Sequence, residues 1–202
     1  MVTTASETST ADTLAGRARI LDVAAALFVE QGYDATSLRQ IADAVGMKAG
    51  SLYYHFDSKD DLLTAVLDIG MDVMHTAFDA AENSTVGVPA PERIEAHVRA
   101  HLAALYEYGP YTAAHVVTLR TAPEAVRGRV VPSRDAYESR WAALLETMQT
   151  GGDLDEVVDT HIARLALFGA MNSSVEWFDP DRGGLDEVAG TIAHQFWNGV
   201  SR

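Results

Sequence analysis

Residues 36–59 read TSLRQIADAVGMKAGSLYYHFDSK, and the spacing inside this stretch decides the fold. Leu38, Ile41, Ala42 and Val45 recur at the three- and four-residue steps of one helix face. Thr36 or Ser37 stands where a cap is needed, and Ser37 with Gln40 fits a capping box. Gly46 is placed to end the helix. Ala49–Phe56 predicts a second short helix. Two short helices joined by a tight turn with Gly make a helix-turn-helix.

Outward from this pair, the rest of the chain is also helical. A first helix is expected over about 16–31, with Ile20, Ala24, Leu27 and Phe28 on one face and Gly32 behind it. Ser58 with Asp61 caps a long fourth helix. Its two neighbouring apolar stripes, Leu62-Val66-Ile69-Val73-Ala77 and Leu63-Leu67-Met74-Phe78-Ala81, predict packing on more than one side. Further helices are expected over about 92–108, 111–121, 133–150, 155–178 and 185–200. Gly109-Pro110, Pro123, Gly128, Pro132, Gly151-Gly152 and the turn at 179–184 separate them, with the start of the seventh left open. No stretch alternates with period two. The reading is all-α, about nine helices: a flexible tail at 1–14, a three-helix head at 15–57 and a helical body at 58–202.

The run Gly50-Ser51-Leu52-Tyr53-Tyr54-His55-Phe56, followed by Lys59, resembles the DNA-binding domain of the TetR family of bacterial repressors. That resemblance implies a TetR-like fold, with a helix-turn-helix head and a body that binds a small effector and forms a homodimer through the last two helices. Carried over by position, Ala49, Gly50, Ser51, Tyr53, Tyr54 and His55 become candidates for DNA contact. Tyr hydroxyls and His55 can reach phosphates, which sets register without reading sequence. Thr36 can offer a hydroxyl and nearby N–H groups to a phosphate, and Lys59 can neutralise another. Leu52 and Phe56 are assigned to the head's own core. The family commonly has Ser or Thr where this chain has Lys48, a poor cap that sits badly with the positive end of a helix. A phosphate nearby would relieve both problems; so would solvent. Position 49 is Ala, which donates no hydrogen bond to a base, so base readout leans on Arg39 and Ser51.

The net charge is −14, an odd value for a DNA binder, but its distribution matters more than its sum. Residues 1–60 carry five basic and eight acidic side chains, a net of −3; the remainder carries ten and twenty-one, a net of −11. The chain's only lysines, Lys48 and Lys59, flank the second motif helix. Hydrophobic residues make up 48%, enough for a core and too much for disorder. The absence of cysteine excludes disulfides, thiolate zinc sites and a Cys nucleophile. No apolar run approaches a membrane span, and the Thr/Ser/Ala-rich start lacks the features of a secretion signal. A cytoplasmic protein without cofactor is expected.

Phosphate-binding loops, dinucleotide fingerprints and the nucleophile elbow are all missing. His97 and His101, four apart, could place two imidazoles on one helix face, with His115 or His161 as a third ligand. The zinc-protease pattern, however, needs Glu where Val98 stands. The segment 179–190 begins like a calcium loop but has Gly190 where Glu is required. An enzyme is not expected. Pocket candidates in the body are His97, His101, Leu105, Tyr106, Tyr111, His115, Arg120, Trp141, Arg164, Phe168, Met171 and Trp177. The segment from Met171 to Pro180, on to Leu185, resembles TetR-family regulators of fatty-acid and sterol breakdown that respond to acyl-CoA thioesters. An acyl-CoA is therefore the leading effector, with drug-like or aromatic compounds as the alternative. Ala166, Gly169 and Ala170 on the eighth helix, with Leu185, Val188, Ile192 and Phe196 on the ninth, are the candidate dimer face.

Overall fold

The structure, a computed structural model, describes residues 4–179 and 182–201, with side chains from Thr13 onward. Among the described residues there are nine helices and no strand: α1 (Thr4–Gln31), α2 (Leu38–Val45), α3 (Ala49–Leu52), α4 (Lys59–Ser84), α5 (Ala90–Tyr106), α6 (Tyr111–Thr118), α7 (Glu124–Gly151), α8 (Thr160–Trp177) and α9 (Leu185–Val200). The only pairing of strand type among them is an isolated bridge between Leu154 and Ser201.

Local chemistry sets the ends that were legible beforehand. The Ser37 hydroxyl accepts the Gln40 N–H at 3.2 Å, and the Gln40 side chain accepts the Ser37 N–H at 2.8 Å, completing the capping box. Gly46 closes α2 at φ 79°, a left-handed conformation that a side chain would strain. At α4 the Ser58 hydroxyl accepts the Asp61 N–H at 3.0 Å. The α9 bounds match the expected ones.

Four helices depart from expectation. α1 starts at Thr4 and so runs through most of the stretch read as a tail; extending a helix already nucleated costs little per residue. Residues 1–3 lie outside the described residues, as do Pro180 and Asp181 of the expected turn. α3 stops at Leu52, and Tyr53–His55 form a turn instead of a second helical turn. α7 runs straight through Pro132 from Glu124. A proline removes one N–H and crowds the carbonyl one turn back, here Gly128. Burial of Val126, Val130, Tyr137 and Trp141 on either side outweighs that local cost. α8 begins only at Thr160, capped by Asp159, whose carboxylate accepts the Ile162 N–H at 3.1 Å.

The chain divides into two compact units. One comprises residues up to Gly70 together with Gly109–Val130; the other comprises Met71–Tyr108 and the chain from Val131 onward. The expected head at 15–57 lies within the first unit, where α1 packs on α2 and α6, and α2 on α3. Its core holds Ile20, Ala24, Phe28, Ile41, Ala42, Leu52, Leu62 and Leu63, each fully buried. Gly70 of α4 meets α6 in this unit: a Cβ there would stand 2.7 Å from the Tyr111 carbonyl oxygen. In the second unit α5 packs on α8 and α9, and α8 on α9.

Candidate nucleic-acid interface and ligand site

Two anchors fix the recognition segment. Leu52 is fully buried and Phe56 nearly so, with the Arg17 guanidinium 4.9 Å above the Phe56 ring. Burying a Leu or Phe of this kind contributes about 1.5–3 kcal/mol. With those two held inward, the residues between and before them turn out. Lys48, Ala49, Gly50 and Ser51 are exposed; Tyr53 and Tyr54 are 56% and 79% exposed. His55 is half-buried, its ring at right angles to that of Tyr54. Lys48 occupies the cap position of α3 with no side-chain cap bond. Arg39 projects from α2 beside Asp43, 3.8 Å away, both largely in solvent. A basic and hydroxylated surface of this size can touch phosphates and base edges.

Thr36 and Lys59, both expected at the DNA, also make bonds within the head. Thr36 is fully buried, and its hydroxyl donates to the Gly32 carbonyl at 2.8 Å and to the Leu27 carbonyl at 3.3 Å. It ties the α1–α2 corner to the end of α1 and has no hydroxyl left for a phosphate. Lys59 is half-buried. Its ammonium donates to the Tyr33 carbonyl at 2.9 Å and the Thr36 carbonyl at 3.0 Å, and it sits 3.9 Å from the Tyr33 ring centre. The Tyr33 hydroxyl in turn donates to Asp60, and burial pushes its pKa up. Tyr33 and Asp60 were not among the residues picked out from sequence; the only signal was an aromatic placed directly after a helix-ending Gly.

The expected pocket residues separate into groups. Tyr111, His115 and Arg120 belong to the first unit, the others to the second. The Tyr111 hydroxyl donates to Asp22 of α1, and Arg120 is exposed. In the second unit His97, His101, Trp141 and Phe168 share one aromatic cluster with Phe78 and Tyr137. The His101 imidazole faces the Tyr137 hydroxyl at 3.0 Å and the Asn172 amide oxygen at 3.1 Å. Burial pushes its pKa down to about 4, so the ring is neutral and relays one hydrogen bond from Tyr137 to Asn172. His97 lies between the Arg93 carbonyl at 2.8 Å and the Glu82 carboxylate at 3.1 Å. Burial lowers its pKa against the pull of both acceptors. Trp141 is fully buried, its indole beside the Tyr137 hydroxyl. Leu105 and Met171 are buried. The Tyr106 hydroxyl donates to Ser174 at 2.8 Å.

Two further pocket residues are placed differently from expectation. Arg164 is buried, but its guanidinium pairs with Glu138 at 2.6 Å, in a groove that also holds Asp135, Glu146 and His161. Its charge is thereby neutralised. Trp177 is 56% exposed and lies in a groove between α8 and α9 with Ala170, Ser173, Val188 and Ile192. His97 and His101 each have partners of their own, and among the described residues no three His, Asp or Glu gather as a metal site. Glu82, Tyr137 and Asn172, which complete the buried network, were not singled out as pocket residues. Tyr137 and Trp141 stand four apart on α7, the one sequence cue to a shared face.

Residues 20–66 match the model of the bacterial regulatory proteins of the tetR family, and residues 87–200 match the tetracyclin repressor-like C-terminal domain. The chain belongs to the TetR family. It is 30% identical over 188 residues to the HTH-type transcriptional repressor KstR2 of Rhodococcus jostii (strain RHA1), covering 89% of this chain and 86% of the relative. Two solved structures share the fold. One is the ketosteroid transcriptional regulator KstR2 of Mycobacterium tuberculosis, with TM-score 0.79, 24% identity, and 92% and 95% of the two chains covered. The other is AibR in complex with isovaleryl coenzyme A and operator DNA, with TM-score 0.77, 23% identity, and 92% and 98% covered. This TetR-family chain is a transcriptional regulator and not an enzyme, as its relatives are. Among its described residues no helix is long and apolar enough to cross a membrane.

Proposed function

We propose that this regulator represses transcription as a homodimer on a palindromic operator and leaves it when a small apolar effector binds. The observation that carries the DNA part is the exposed set Arg39, Lys48, Ala49, Gly50, Ser51, Tyr53 and Tyr54, raised on the buried anchors Leu52 and Phe56. Half-sites about 34–36 Å apart suit two such heads. The dimer reading is supported by α8, where Ile162, Leu165, Ala166, Gly169, Ala170 and Trp177 are exposed along one face. On α9, Val188 and Ile192 are only half-covered. A face this apolar is a docking surface. Light scattering should give twice 21.8 kDa. In gel shifts Tyr53→Ala should weaken specific operator binding by roughly 1–3 kcal/mol. Lys48→Ala should weaken binding to any sequence and flatten the log K against log salt slope by about 0.9 per contact. Unchanged operator affinity in both variants would discard this surface as the interface.

For the effector, the leading reading is an acyl-CoA thioester, supported by the resemblance of the segment from Met171. The acyl part would lie against the cluster of His101, Trp141 and Phe168. A second reading, an uncharged aromatic or drug-like compound, is favoured by one observation. Arg164 is paired with Glu138 among acidic neighbours, so it is a poor partner for a CoA phosphate. The ligand acts only by preferring one position of α4 over another, with a coupling of about 1–3 kcal/mol. Titrating the operator complex with acyl-CoAs, free CoA, free acids and uncharged aromatics separates the two. Release by acyl-CoAs alone supports the first; release by uncharged compounds alone supports the second.

A further inference from the structure

We propose that Tyr111 is a positioning residue for operator binding: its hydroxyl braces α6 against the stretch of α1 that supports the end of the recognition segment. The inference rests on the reading of the exposed α2–α3 surface as the DNA interface. Tyr111 is the first residue of α6 and directly follows Gly109-Pro110. Its main chain and its side chain are held separately. The main chain lies against α4 at Gly70, where a Cβ would come within 2.7 Å of the Tyr111 carbonyl oxygen. The side chain crosses to α1, where the hydroxyl donates to the Asp22 carboxylate. Burial and that bond hold the hydroxyl's pKa above its ordinary value, so it stays protonated and able to donate. Three helices, α1, α4 and α6, therefore meet at one residue.

Asp22 lies about 7.5–9 Å along α1 from Arg17 and Gly16. Both of those residues stand against the end of the recognition segment. The Arg17 guanidinium is 4.9 Å above the Phe56 ring. Gly16 packs beside His55, whose Nε2 is 3.6 Å from where a Cβ would stand. The same guanidinium is near enough to act electrostatically on the Tyr111 hydroxyl. The segment itself has little internal support. Beyond Leu52, its main chain is held by the N–H groups of Tyr54, His55 and Phe56, which donate to the Ser51 and Leu52 carbonyls. A turn with so few bonds takes its pose from the neighbours that cover it. One of those neighbours is α1, and Tyr111 fixes α1 to α6 at a point just beyond the covering residues.

Tyr111→Phe removes the hydroxyl and keeps the ring. Affinity is measured on a duplex that the wild-type protein selects from random sequence. It should fall about two- to tenfold, the worth of one hydrogen bond. The log K against log salt slope should stay at the wild-type value, since no phosphate contact is lost. Asp22→Ala should do the same, and the double variant should bind no more weakly than either single one. Asp22→Asn keeps an oxygen that accepts the bond, so its affinity should stay within about twofold of wild type. Additive losses in the double variant or a flattened salt slope would overturn the proposal. So would unchanged affinity with lowered stability in urea, which would make Tyr111 a structural residue only. The second arm needs no operator. Exchange of the Tyr54, His55 and Phe56 amides with deuterium, read on peptides by mass spectrometry, should be faster in Tyr111→Phe, while α8 exchanges as in wild type. Equal exchange at the three amides would overturn the brace. Failure of wild-type protein to select any duplex would strike the DNA reading and with it the positioning role, while the exchange result still decides the brace.

Discussion

In the first unit Thr36, Ser37, Ser58 and Lys59 spend their polar atoms on main-chain groups and cap partners at helix ends. In the second unit His101 bonds to the side chains of Tyr137 and Asn172, and buried His97 to that of Glu82. The difference has energetic content. A cap or latch orders a helix end at the surface and contributes about 1 kcal/mol when it is neutral. A buried network is only as good as its satisfaction, because each unpaired group costs its desolvation. The first unit is built to hold a short segment in one pose. The second keeps polar groups where a fully apolar core would be simpler.

The largest expected effect lies in the second unit. The folded His101 pKa, about 4, is below its ordinary 6.5. Between those values the unfolded chain binds more protons than the folded one, so stability is full above pH 6.5 and falls as pH drops toward 4. The loss should reach about 3 kcal/mol. Urea unfolding across this range should show it, and His101→Gln should remove most of the slope. A slope that survives the substitution would place the titration on another group.

Next is Gly70→Ala in the first unit. An interior helix glycine normally gains about 1 kcal/mol on becoming alanine. Here the new Cβ would meet the Tyr111 carbonyl oxygen at 2.7 Å and its carbon at 3.0 Å. Backbone cannot swing aside, so a net loss of roughly 1–3 kcal/mol is expected in thermal melts. A stabilised variant would mean that α4 and α6 part easily at this point.

Smaller still, Ser37→Ala should cost about 1 kcal/mol by removing the cap of α2. Its helical signal by circular dichroism should otherwise be intact. Smallest is Arg39→Ala, whose partner Asp43 is also largely in solvent. Stability should move by less than about 0.5 kcal/mol while operator affinity drops. If Arg39→Ala proved as destabilising as Ser37→Ala, the division between supporting and contacting side chains in the head would fail.

Much of the first unit was legible because its determinants are short-range. Ser37, Gln40 and Gly46 lie within ten residues of one another and set both ends of α2. The alternation of buried Leu52 and Phe56 with exposed Ser51, Tyr53 and Tyr54 follows from the same few residues. What escaped was long-range. Thr36 reads as a surface hydroxyl until Leu27 and Gly32 are seen to face it, and Lys59 reads as a free cation until Tyr33 does. In the second unit the spacing of His97 and His101 was visible, but their partners stand 15, 36 and 71 residues away. Arg164 and Trp177 were grouped as pocket residues because composition cannot tell an inner helix face from an outer one.

The chain passes between its two units three times, after Gly70, after Tyr108 and after Val130. Each crossing coincides with a residue that weakens regular backbone. α4 has no side chain at Gly70; Gly109-Pro110 joins α5 to α6; α7 carries Pro132, with its missing N–H, two residues beyond the third crossing. Glycine and proline are where helices bend at least cost. Bending α4 or α7 therefore costs least beside Gly70 and Pro132, where the chain passes from one unit to the other.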